Sequence, residues 1–371
     1  MARRKPDEIL AALEAAGFAA YYVGGCVRDA LLGRETHDWD VATSARPEQV
    51  LALFDRCVPT GVRHGTVTVL LPDTQAEVTT FRRDGVYLDS RHPQAVSFVS
   101  DLQEDLLRRD FTVNAMARDL RGQLYDVCGG QADLRAGIIR CVGDPAARFS
   151  EDALRILRAW RFSAQLGFRL DDATRQAALA LAGSCAGLSR ERVRDEAEKT
   201  LLSPRPQALQ EMIEAGMLAA CGLWHCPPLE GLASLPADAP RWAALQLRLP
   251  EFDPAAMRLP GKLCRLIERA AASYQPQPDA LTLKTIVARE GWDVAEVCAA
   301  LAGCPALLRQ IRASGDCVTL RQLAVTGADF PQCAGAAVGQ LLQALLRHVL
   351  AHPEDNTRER LLQLAEKFAK K

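Results

Sequence analysis

The chain has 371 residues, 49% of them apolar and 25% charged, and its 45 basic and 46 acidic side chains leave a formal net charge of −1. That length exceeds one ordinary hydrophobic core and predicts about two to four domains. The near-neutral balance excludes a polyanion-binding surface over the whole molecule, so any nucleic-acid partner must meet a local basic groove.

Residues 6–18 carry apolar side chains at helical spacing (Ile9, Leu10, Leu13). The short runs AAYYVGG, DWDVAT, GTVTVLLP and AEVTTF then read as strands. Pro72-Asp73-Thr74 supplies the turn of a hairpin between the last two. Residues 82–100 mix charge, Gly, Pro and Ser and read as a long loop. RDFTVNAMARDL predicts a helix and QLYDVC a strand, so roughly the first 140 residues form a small mixed domain. From Ser150 onward the periodicity is helical with almost no strand signal. Proline-rich breaks at 203–206, 227–240, 250–260 and 275–278 mark joints between helical parts. No run of about 18 uninterrupted apolar residues occurs, and the basic start MARRK has no apolar stretch behind it. Neither a membrane span nor a secretion signal is therefore expected, and a cytoplasmic location is. The 12 cysteines are scattered without a CxxC pair and are expected to be reduced. Cys221 and Cys226 with His225 between them lack the further ligands a structural zinc needs.

The first chemistry lies in GGCVRDALLGRETHDWDV. Asp38 and Asp40 are two apart in a strand-like run, so they project from one face. Like charges held together need a cation between them, and hard oxygen donors with few protein contacts suit Mg²⁺, the ion of phosphoryl transfer. Gly24 and Gly25 stand between a strand and a helical stretch, where bare backbone can approach phosphate oxygens. Arg28 lies one turn on and adds a charge-assisted contact. One end of the segment thus suits a triphosphate and the other its metal.

GGCVRDALLGRETHDWDVAT, HGTVTVLLPDTQAEVTTFR, RRDFTVNAMA, YDVCGGQADLRAGIIRCVG and RFSEDALRILRAWRF occur in this order over residues 20–200. Together they resemble the signatures of the class II tRNA nucleotidyltransferases and bacterial poly(A) polymerases. The resemblance implies an α+β chain, with a polymerase-β-like nucleotidyltransferase head (1–140), an all-α neck that recognises the base (141–205), a helical body (206–310) and a helical tail that binds tRNA (311–371). It implies Mg²⁺ on Asp38 and Asp40, with Glu77 as a third acid that positions or deprotonates the attacking hydroxyl. It implies nucleotide contacts from Arg109, Asp110 and Asn114 in RRDFTVN. Gly129, Gly130 and Asp133 are expected to form a structural hinge between head and neck.

In SEDALRILR, Ser150 is the expected N-cap of a helix on which Asp152, Arg155 and Arg158 share a face, with Arg161 further round. An Asp–Arg pair accepts from an amino group and donates to a ring nitrogen. It therefore fits the Watson–Crick edges of both cytosine and adenine and opposes those of uracil and guanine. The resemblance implies that this pair replaces a nucleic-acid template. Arg190, Arg192, Arg194 and Glu198 resemble the last neck motif, a supporting one.

Gly327-Ala328-Asp329, Val338-Gly339 and Asn356 resemble the tail of the compact bacterial CCA-adding enzymes, while His348 and His352 read as ordinary helix residues. The implied reaction adds CCA to the 3′ end of tRNA from CTP and ATP, with A-only, CC-only or poly(A) addition as alternatives within the family. A degenerate, non-catalytic RNA-binding module is the rival from another class. Asp84–Arg91 fits the mobile head loop of enzymes that add A, so A addition is expected.

Overall fold

A computed structural model describes residues 6–36, 38–84, 96–223, 225, 228–249, 251–331, 333 and 335–368. His37, Cys226 and the loop residues 85–91 lie outside them. The chain divides into two compact units, residues 1–224 and 225–371.

The first unit opens with α1 (Asp7–Ala15), β1 (Ala20–Val23), α2 (Gly25–Leu31), β2 (Trp39–Thr43), α3 (Pro47–Leu53), β3 (Cys57–Gly61), β4 (Thr66–Leu70) and β5 (Gln75–Thr80). After β6 (Arg82–Asp84), β7 (Val96–Phe98) and α4 (Leu102–Leu107) come β8 (Met116–Arg118) and β9 (Leu124–Asp126). Seven of these strands make one sheet in the order β3-β4-β5-β2-β1-β8-β9. β2 and β5 pair in parallel and the other neighbours antiparallel. The expected β4–β5 hairpin forms.

Two expectations are corrected here. RDFTVNAMARDL is not a helix: a single 3₁₀ turn over Thr112–Asn114 leads into β8, which pairs with β1. Phe111, Val113, Ala115, Met116 and Ala117 are all fully buried. Sheet pairing satisfies that buried backbone and overrides the local helical pattern. The stretch 82–100 is not loop throughout, because β6 and β7 pair antiparallel on either side of the undescribed residues.

The unit continues with α5 (Gly130–Ala136), β10 (Ile138–Ile139), α6 (Pro145–Glu151), α7 (Leu154–Leu166), β11 (Arg169–Leu170), α8 (Asp172–Ala180), α9 (Arg190–Leu201) and α10 (Ala208–Glu214). β10 and β11 form a two-residue parallel pair, a strand contact past Ser150 that helical periodicity did not foretell. Ser150 is not an N-cap. Its hydroxyl donates back to the Ala146 carbonyl inside α6, which Asp144 caps by accepting from the N–H groups of Ala146 and Ala147. α7 packs on α9 and α10, and its Ile156, Leu157, Trp160 and Ala164 are buried. The expected hinge is tightly packed: Gly130 lies so close to the Thr112 carbonyl that a Cβ would sit 2.2 Å from its oxygen.

The second unit is helical: α11 (Ala239–Arg248), α12 (Gly261–Ser273), α13 (Ala280–Glu290), α14 (Trp292–Leu301), α15 (Pro305–Ser314), α16 (Ala336–Ala351) and α17 (Arg358–Phe368). The proline-rich stretches at 250–260 and 275–278 fall between helices, as expected. Asn356 accepts from the Ala324 N–H and donates to the Gln322 carbonyl, both at 3.0 Å, and Arg358 pairs with Asp329 at 2.6 Å. The tail motif is thus a clasp that closes the loop ahead of α16 onto the start of α17. His348 bonds Asp355 at 2.6 Å and its ring lies 4.8 Å from that of His352. No helix among the described residues is long and apolar enough to cross a membrane.

Candidate active site

All thirteen candidate residues line one open cavity of about 860 Å³ in the first unit: Gly24, Gly25, Arg28, Asp38, Asp40, Glu77, Arg109, Asp110, Asn114, Asp152, Arg155, Arg158 and Arg161. The sheet brings the acids together. Asp40 on β2 stands in register with Glu77 on β5, and Asp38 lies two residues before Asp40. Parallel pairing puts residues in register side by side on one face, so a third acid joins the aspartate pair from a distant part of the chain. Burial pushes the Asp40 carboxyl up to about 6; Glu77 and Asp38 add to the rise, while Arg109 and Arg158 oppose it.

Asp40 and Glu77, in register on neighbouring strands, with Asp38 just ahead of β2, offer hard oxygen donors whose chemistry suits a divalent cation. Among the described residues, no three His, Cys, Asp or Glu side chains already converge on a metal position.

Gly24 has a role that its place before a helix did not reveal. Its φ of +73° and ψ of −132° suit glycine. A Cβ there would lie 3.0 Å from Arg109 Nη1 and 3.5 Å from Asp40 Oδ2. The missing side chain therefore leaves room for a guanidinium beside the central acid. The Gly24 N–H donates to the Met116 carbonyl at 3.3 Å, so it serves the sheet.

A polar chain crosses the floor of the cavity. Arg28 donates to Asn114 Oδ1 at 2.6 Å, Asn114 donates to Asp110 Oδ1 at 3.2 Å, and Arg158 Nε donates to Asp110 Oδ2 at 2.7 Å. Burial alone would raise the Asp110 carboxyl, but Arg158, Asn114 and the Phe111 N–H together hold it down at about 2. Phe162 underlies three guanidiniums, with those of Arg28 and Arg158 each 5.2 Å and that of Arg161 3.7 Å from the ring centre. Burial lowers Arg161 to about 10, although its ion pair with Glu196 at 2.5 Å opposes the shift.

The expected one-face geometry of Asp152 and Arg155 is corrected. Asp152 precedes α7 in an extended conformation, φ −145° and ψ 108°, and accepts from the Leu154 N–H at 3.0 Å. Its carboxylate pairs with Arg192 of α9 at 3.0 Å. Arg155 pairs with Glu151 and donates to the Arg148 carbonyl at 3.1 Å. The two base-reading candidates share the cavity wall, and each is engaged by a neighbour. Reading a base would require exchange or sharing of these partners.

Arg108, Phe162, Arg192 and Lys199 also line the cavity. Arg192 and Lys199 are seven apart on α9, a spacing that marks one helix face but says nothing of which wall that face meets. Sequence reading assigned Arg192 only a supporting place.

Residues 20–140 match the family model of the poly(A) polymerase head domain, and residues 167–221 match that of a probable RNA- and SrmB-binding site of polymerase A. A CCA-adding enzyme of Leuconostoc mesenteroides is 52% identical over 203 residues, a stretch that spans about half of that enzyme (51%) and 54% of this chain. A CCA-adding enzyme of Geobacillus thermodenitrificans is 40% identical over 95% of this chain and 94% of its own. The crystal structure of the Bacillus stearothermophilus CCA-adding enzyme in complex with CTP superposes with a TM-score of 0.83 at 34% identity, covering 99% of this chain and 98% of that one.

Proposed function

The chain belongs to the CCA-adding enzyme family, and from that premise we propose that it adds C, C and A to the 3′ end of tRNA from CTP and ATP, without a nucleic-acid template and with release of pyrophosphate. The observation that carries this reading is the meeting, in one cavity, of the acids Asp38, Asp40 and Glu77 with the arginines and with Asp152 and Arg155.

Asp38 and Asp40 would hold Mg²⁺, with Glu77 beside them. When bound, the ion neutralises the acids, activates the attacking oxygen and steadies the leaving phosphates. The protein's own groups do the rest. Arg28 and Arg109 grip the triphosphate by charge-assisted hydrogen bonds, and Gly24 and Gly25 let it approach. Glu77 positions the terminal ribose hydroxyl or takes its proton. The Asp110–Arg158 pair and Asn114 brace Arg28 and the sugar side of the site, and Arg161 closes the wall behind Phe162. Asp152 accepts from the base amino group and Arg155 donates to the adjacent ring nitrogen, a pattern shared by C and A. A U or G would leave buried groups unpaired, at about 1–3 kcal/mol each.

In this reading residues 1–140 are the head, 141–205 the neck, 206–310 the body and 311–371 a tail that grips tRNA largely through phosphate contacts. The enzyme works in the cytoplasm.

The test is incubation of the purified protein with a tRNA transcript lacking its last three nucleotides, together with Mg²⁺, CTP and ATP. Addition of CCA and then arrest is expected, and no incorporation would refute the reading. A chain that adds only A, once or repeatedly, would be an A-adding enzyme or a poly(A) polymerase. Asp38→Ala and Asp40→Ala should each abolish addition while tRNA binding persists. Near-normal turnover in either would refute the metal assignment.

A further inference from the structure

Asp105 precedes the RRDFTVNAMA stretch by three residues and is fully buried on α4, with its side chain 1% exposed. Its Oδ1 accepts from Arg108 Nε at 2.9 Å and Nη2 at 2.7 Å, and its Oδ2 accepts from Arg109 Nη2 at 3.1 Å. The Arg82 N–H at the start of β6 also approaches Oδ1, at 3.4 Å. Burial alone would raise this carboxyl, but Arg109 and Arg108 together keep it below its ordinary value.

Two consecutive arginines, Arg108 and Arg109, line the cavity, where Arg28, Arg155 and Arg158 already concentrate positive charge. With nothing between them they would repel and turn toward water, and each long side chain would keep its rotamer freedom. Here both are largely covered, at 15% and 18% exposure, around a single carboxylate. Arg109 in turn occupies the space beside Gly24 and Asp40. The main chain is tied as well, since the Arg108 carbonyl accepts from Arg148 Nη1 and Arg155 Nη2, both at 3.4 Å.

We propose that Asp105 is the positioning residue of the nucleotide site: it holds Arg108 and Arg109 in the geometry that receives the triphosphate, and does not itself touch the nucleotide. This rests on the proposed function, because the ligand it prepares for is a nucleoside triphosphate. The site is ordered before the ligand arrives, so the ordering cost is not charged against binding.

The experiment compares the full chain with Asp105→Asn, which keeps the shape but removes the charge and turns a donor toward one arginine. Dissociation constants for CTP and ATP are read by calorimetry, and KM and kcat by primer extension. Both nucleotide constants and KM should rise about tenfold or more, with tRNA affinity unchanged. In the Arg108→Ala/Arg109→Ala background the same substitution should leave nucleotide affinity within about twofold, because residues acting through one another are not additive. A purely structural acid would lower the melting point and the active fraction, keep nucleotide affinity at the wild-type value, and add its effect in the arginine-free background. That result would overturn the proposal. Should the Asn variant not fold, Asp105→Glu keeps the charge but moves it by one methylene. It should show the same loss of nucleotide affinity, and unchanged affinity would again overturn the proposal. A wild type that binds CTP but never adds it would refute the proposed function while leaving this affinity comparison intact. A wild type that binds neither CTP nor ATP would overturn both.

Discussion

Gly24→Ala separates close approach from backbone strain. Any L-residue at φ +73°, ψ −132° is strained by about 1–3 kcal/mol. The added Cβ would also press on Arg109 Nη1 at 3.0 Å, in a guanidinium whose Nη2 donates to Asp105 at 3.1 Å. Displacing it weakens a charge-assisted bond of about 1.5–3 kcal/mol. The sum is about 2.5–6 kcal/mol, or a fall in melting midpoint of roughly 5–24 °C for a unit of this size. Gly33 at the end of α2 is the control. It also has positive φ, +66°, but nothing lies within 4 Å of its added Cβ. Gly33→Ala should lose only about 1–2 kcal/mol and keep its catalytic constants. The assay is thermal melting of both variants together with kcat/KM for CTP, where Gly24→Ala should fall about tenfold or more. Equal stability losses with normal kcat/KM in both variants would refute the argument that this glycine makes room for Arg109.

Gly130→Ala should destabilise the first unit by about 3 kcal/mol or more, because the new Cβ meets the rigid Thr112 carbonyl at 2.2 Å and Met116 at 3.0 Å; urea unfolding measures it, and a midpoint equal to wild type would contradict the packing described. Asp110 has a folded value of about 2 against an ordinary 3.8, so its stabilisation is complete above pH 4 and is lost as pH falls through 2. Asp110→Asn should therefore be about 2 kcal/mol less stable than wild type at pH 7, with the gap closing between pH 4 and 2. A gap independent of pH would assign the loss to packing. Asp152→Ala and Arg155→Ala should each relax the preference for CTP and ATP over UTP and GTP by about 10–100-fold with helix content unchanged by circular dichroism. If both variants reject UTP as wild type does, the base is read elsewhere.

Some of this molecule follows from local sequence alone. The DxD spacing keeps two acids close together whatever the rest of the chain does, Asp40 on β2 and Asp38 just ahead of it, near enough for Asp38 to raise the Asp40 carboxyl. Pro254, Pro260, Pro276 and Pro278 fall outside helix interiors, since proline lacks the N–H that a helix interior needs. Glu77 is different. It lies at the level of Asp40 only because β2 and β5 pair in parallel with α3, β3 and β4 between them, and no local pattern sets that register. The same holds for β8, where helix-like spacing gave way to pairing with β1, and for Asp152, whose partner Arg192 comes from a separate helix. Asp105 reads as one more acid in a short charged helix, and its importance begins when the fold excludes water and leaves it two guanidiniums as partners. Periodicity is a property of neighbours a few residues apart. Register, burial and ion pairing between distant segments are settled by the packing of the whole unit, and they decide which of many charges face one another in the site.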